Sequence, residues 1–62
     1  MYKVERQIPT SGAWQEVMLS PFKTRDEVKV YHAKYSKYYP KEDRIYRVTN
    51  LETGGKKLIR EY

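Results

Sequence analysis

Thr24-Arg25-Asp26-Glu27-Val28-Lys29-Val30-Tyr31-His32-Ala33-Lys34-Tyr35-Ser36-Lys37-Tyr38-Tyr39-Pro40 is the stretch on which the fold turns. It opens as a capping box: the Thr24 hydroxyl can accept from the amide three residues on, and Glu27 can reach back. Asp26 and Glu27 also suit the positive end of a helix dipole. Pro40 closes the stretch, because it has no N–H and its ring clashes with the preceding turn. These signals predict one helix over about residues 25–39. Val28, Tyr31, His32, Tyr35 and Tyr39 then share a stripe, with Tyr38 at its edge. Lys29, Lys34 and Lys37 project elsewhere, while Val30 and Ala33 lie on the far side. Phe22, just outside, is placed to pack back against the first turns.

N-terminal to this helix the period changes from helical to strand-like. In Tyr2-Lys3-Val4-Glu5-Arg6-Gln7-Ile8, Tyr2, Val4 and Ile8 share a face with Arg6 as the exception. Pro9-Thr10-Ser11-Gly12 supplies turn chemistry. A second strand, Ala13 to Leu19, completes a hairpin; Trp14 and Met18 lie on one side of it, Val17 and Leu19 on the other. C-terminal to the helix, Lys41-Glu42-Asp43 is a loop and Arg44-Ile45-Tyr46-Arg47-Val48-Thr49 is rich in strand formers. Glu52-Thr53-Gly54-Gly55 gives the next turn, and Lys57 to Tyr62 the last strand. The order β-β-α-β-β predicts a small α+β domain spanning residues 1–62, a four-stranded antiparallel sheet with one helix packed on one face.

Size limits what such a domain can do. A chain of 62 residues buries only about 60% of its unfolded surface. Domains of this size often draw on disulfides, metals or a second subunit. The chain has no cysteine and one histidine, which excludes disulfides, thiolate zinc sites and His-rich metal sites. No cofactor is expected, and a homodimer remains as the available support. Val17-Met18-Leu19 is far too short to span a bilayer, and no signal-peptide pattern is visible. The expectation is a soluble, cytoplasmic protein; the lack of cysteine fits a reducing compartment.

Charge and aromatic content are unevenly placed. Lys3 and Arg6 balance Glu5 and Glu16 within residues 1–22, so the whole net charge of +5 lies in residues 23–62. That half also holds six of the seven tyrosines. Tyrosine offers a flat apolar ring and a hydroxyl that can still face water, useful in a core, at an interface or beneath a base.

A search for catalytic chemistry returns little. His32 and Ser36 lie one helical turn apart, but no orienting acid or oxyanion donors accompany them. Asp26/Glu27 already has a capping role, and Glu42/Asp43 sits beside Lys41 and Arg44 in a polar loop; neither converges on a cation as a hard-metal site requires. Gly54-Gly55-Lys56-Lys57 lacks the spacing, the Ser/Thr and the following helix of a phosphate-binding loop. No enzymatic activity is expected.

The outline YKVER, AWQEV, TRDEV, YYP and IYRVTNLETGG resembles short, functionally unassigned ββαββ proteins frequent in phages and mobile elements. The resemblance spans nearly the whole chain and is carried by turns, caps and core positions. It implies a cytoplasmic accessory factor that acts by binding a host or phage component.

From the residues themselves, the leading expectation is a protein-binding module using a tyrosine-rich, basic surface. Its candidates are Lys34, Lys37, Tyr38, Arg44, Tyr46 and Arg47, because aromatic and arginine anchors dominate interface energetics. The rival is a sequence-nonspecific nucleic-acid binder using residues 23–62, with lysines and arginines on phosphate and exposed Tyr38, Tyr46 or Tyr62 stacking on bases. A third reading is a self-assembling structural subunit.

Overall fold

The computed structural model describes residues 1–59. Four strands, β1 (Tyr2–Gln7), β2 (Trp14–Glu16), β3 (Tyr46–Asn50) and β4 (Lys56–Ile59), form one antiparallel sheet in the order β2-β1-β3-β4. A single α-helix, α1 (Arg25–Tyr35), lies between the hairpins in sequence. This is the expected ββαββ α+β architecture. The last predicted strand extends to Tyr62, and residues 60–62 lie outside the described residues.

Register decides which side chains meet the helix. Opposed residues of an antiparallel pair point to the same face. Val4 opposes Val48, Arg6 opposes Tyr46, and Tyr46 in turn opposes Ile59. Val4, Tyr46 and Ile59 join Val28 of α1 and Phe22 in the core, with Tyr2, Val17, Tyr31 and Val48 packed against them. Arg6, the exception in the β1 pattern, therefore does face the helix side. The other face carries Glu5 opposite Glu16 and Arg47, and Trp14 opposite Gln7.

The helix starts where the sequence says. Thr24 has extended backbone, and its hydroxyl accepts from the Glu27 amide at 3.2 Å. The helix ends earlier than expected, at Tyr35, and the chain tightens into a 3-10 turn over Ser36–Tyr38. Tyr39 is extended at φ −116° and ψ 151°, as a residue before proline prefers. The loop Lys41–Asp43 is a second 3-10 turn.

β2 is also shorter than the predicted Ala13–Leu19. The Val17 amide still donates to the Val4 carbonyl at 3.0 Å, but the chain then turns, with the Ser20 amide donating to the Val17 carbonyl at 3.2 Å. Leu19 sits in this turn at φ 76°, the one non-glycine residue with positive φ among the described residues. A hydrogen-bonded turn with positive φ confined to its third position is type II, where glycine is usual. Ser20 replaces the lost pairing: its hydroxyl accepts from the Val4 amide at 3.0 Å and donates to Glu16 Oε2 at 2.7 Å. The Ser20–Pro21 bond is cis, and Phe22 then bridges back to Tyr2 through paired backbone bonds of 2.7 and 2.8 Å.

A tyrosine-lined groove as the candidate binding site

Ending the helix early and turning β2 away opens a groove between them. It encloses about 660 Å³ and is walled by Val17, Met18 and Leu19 on one side and by Tyr31, Tyr35, Tyr38 and Tyr39 on the other, with Arg6 and Tyr46 also lining it. The helical wall is a run of rings leading out of the core. Phe22 meets Tyr31 at 5.3 Å between centroids, Tyr31 meets Tyr35 at 4.7 Å, and Tyr35 meets Tyr38 at 6.2 Å. The i, i+4 spacing aligns Tyr31 with Tyr35, and the 3-10 turn carries Tyr38 outward, where it is 71% exposed. Opposite it, Met18 is 82% and Leu19 66% exposed.

Cations are set into this aromatic wall. The Arg6 guanidinium lies 3.6 Å from the centroid of the Tyr39 ring, a cation–π contact within the favourable range. Its Nε is shielded from water and has no hydrogen-bond partner among the described residues. Lys34 Nζ lies 5.4 Å from the Tyr35 ring, and Arg44 Nε donates to the Tyr39 carbonyl at 2.8 Å. His32 is buried beneath, edge-on to Tyr46 at 5.0 Å. Burial, with the nearby Arg44 charge as the lesser cause, pushes its pKa below the usual histidine value. Burial likewise raises the Tyr31 and Tyr46 phenols above theirs.

The six residues proposed from sequence do not share one surface. Tyr38 lines the groove; Lys34 and Arg44 do not, though each contacts a tyrosine that does, and Lys37 is exposed in the 3-10 turn beside Tyr38. Tyr46 is not the exposed ring expected: it is 2% exposed, because its register against Arg6 and Ile59 points it under the helix. Arg47, its neighbour in the strand, faces the other way. There its Nε and Nη2 donate to Glu5 Oε1 at 3.0 and 2.9 Å, and its guanidinium lies 4.4 Å from the Trp14 ring centroid. Lys3 adds an ion pair to Glu5 Oε2 at 3.9 Å. Glu5 itself is 8% exposed, so Arg47 compensates a buried carboxylate. Sequence reasoning missed Arg6, Met18 and Leu19. The break in the β1 alternation at Arg6 and the uncharged Val17-Met18-Leu19 run were the available signals.

A second, more polar cleft of about 540 Å³ lies at the other end of the helix, where Tyr2, Arg25, Lys29, Lys56 and Lys57 approach one another. Among the described residues no cluster of His, Asp and Glu could hold a metal ion, and no helix is long and apolar enough to cross a membrane. Comparison with family models, curated proteins and solved structures gave no match.

Proposed function

We propose that the chain is a non-catalytic binding module that engages a protein partner through the tyrosine-lined groove, acting as an accessory factor of a phage or mobile element. The observation that carries this reading is the pairing of an exposed apolar turn, Met18-Leu19, with a wall of tyrosines across an open groove. Contiguous exposed apolar surface rimmed by polar groups is what protein interfaces present. Tyrosine and arginine, with tryptophan, are the side chains most enriched among their energetic anchors. The accessory role rests on the sequence resemblance alone.

The test is site-specific photo-crosslinking in cells, with a photoreactive amino acid at position 38 and, as control, at position 30. Val30 is exposed on the helix and lines neither groove. Discrete protein adducts from position 38, absent from position 30 and unaffected by nuclease, are expected. Equal labelling from both positions, or adducts that vanish with nuclease, would sink the reading.

Nucleic-acid binding is the second reading, and the cleft holding Arg25, Lys29, Lys56 and Lys57 favours it. Phosphate contacts there would release counterions, so affinity for labelled DNA or RNA would fall steeply with salt. Binding that persists at physiological salt and is lost in Lys56→Gln/Lys57→Gln would make this the primary function.

A further inference from the structure

The groove is apolar in most of its lining, and Arg6 is the one cation among its lining residues. Arg6 is held on the inward face of β1 by its register with Tyr46, and its guanidinium is flattened against Tyr39. Stacking leaves the planar edge of a guanidinium available, and its donors match a carboxylate better than any neutral acceptor. Among the described residues, no carboxylate is paired with Arg6; its Nε is closed off from solvent, so an incoming carboxylate would meet the guanidinium at its terminal nitrogens. The one acid on the lining, Glu16, already accepts from Ser20. Lys34 and Arg44 do not line the groove, but each contacts a tyrosine that does.

The opposite lip supplies a different requirement. Met18 and Leu19 form the tip of a turn, a place normally given to small polar residues. Leu19 holds the left-handed conformation at φ 76°, which a branched aliphatic side chain rarely adopts. Large apolar side chains on a strained, solvent-facing turn are unfavourable in the isolated chain, and such strain concentrates at ligand clamps. An occupant that covers them with its own apolar side chain removes part of that cost.

We propose that the groove takes an acidic peptide segment, in which one carboxylate meets Arg6 and a neighbouring apolar side chain lodges between Met18, Leu19 and Tyr38. The inference rests on the protein-binding reading and specifies the chemistry of the partner. A nucleic acid is the poorer fit here. A phosphate backbone requires a track of cations, which the Arg25–Lys56–Lys57 cleft offers and this groove does not.

The test uses nitrogen-15-labelled full chain and two short synthetic peptides. One alternates glutamate with leucine and phenylalanine; the other has glutamine in place of every glutamate. The acidic peptide is expected to shift the amide resonances of Arg6, Met18, Leu19, Tyr38 and Tyr39, and to bind about tenfold more tightly than its neutral counterpart, as a charge-assisted bidentate contact implies. Arg6→Gln should abolish that preference. Wild-type titrations at rising salt give a second readout that needs no variant, since the preference must shrink as the charges are screened. Equal binding of both peptides in the groove overturns the acidic specificity and leaves the protein-binding reading standing. No shift with either peptide, or shifts confined to the Trp14 face or the Lys56–Lys57 cleft, overturns the inference. If a short RNA then shifts the groove resonances instead, the protein-binding reading falls with it.

Discussion

Leu19 is the residue whose replacement separates folding from function. Its positive φ costs a non-glycine residue roughly 1–2 kcal/mol, and its side chain is mostly exposed, so truncation removes little packing. Leu19→Gly is therefore expected to raise unfolding stability by about 0.5–1 kcal/mol, after allowing for the greater unfolded-state entropy of glycine. Urea denaturation measures this, and the same variant should bind its partner more weakly. His32 makes a second residue-scale prediction. Its folded pKa lies below the unfolded value, so the unfolded chain takes up the proton more readily. Stability from this group is complete above the unfolded value of about 6.5 and declines as pH falls through it, levelling off once the folded form is also protonated. Thermal melts at mildly acidic and neutral pH should show that decline, and His32→Phe should flatten it. The sequence placed His32 on the inward stripe correctly. It could not reveal that Tyr46 would meet it, because a strand residue chooses its face only through register with neighbouring strands.

At the scale of elements, local signals were legible and the points where elements stop were not. The Thr24 cap, the helix and the strand alternation all depend on residues a few positions apart, and all appear in the structure. The end of β2 is held by a tertiary partner, whereas α1 gives way to a 3-10 turn ahead of Pro40. Arg44 fastens the Tyr39 carbonyl from beyond Pro40, and Ser20 takes over the Val4 amide. The Ser20 bond spans 16 residues and the Arg44 bond 5; neither follows a helical or strand period, and these two departures create the groove. The candidate site was thus half visible: its tyrosines and Lys34 lay in the helical pattern, while its turn was read as strand. Ser20 tests this view. Ser20→Ala leaves the Val4 amide without its hydroxyl acceptor and frees Glu16. A cost of about 1–2 kcal/mol is expected for an unsatisfied, partly buried amide. Hydrogen exchange at Val4 should accelerate in that variant, whereas an unchanged rate would mean that Ser20 does not hold the turn.

The whole molecule divides its labour between two sheet faces. One carries α1 and the small core, whose aromatic run continues outward as the groove wall. The other carries the Trp14–Arg47–Glu5 cluster, in which the cation and the carboxylate are already matched. A thin core of this kind tolerates few substitutions, so a binding surface built at its margin can be altered without unfolding the chain. The most direct measurement follows from that separation. With the protein recovered by crosslinking as ligand, affinities are compared for wild type, Met18→Ser/Tyr38→Ala and Trp14→Ala, each checked for an unchanged fold by amide spectra. Loss of about tenfold or more in the groove variant, with Trp14→Ala close to wild type, is the expected result, because central aromatic anchors carry most interface energy. Unchanged affinity in the groove variant, with the loss falling on Trp14→Ala, would place the interface on the opposite face and contradict the account.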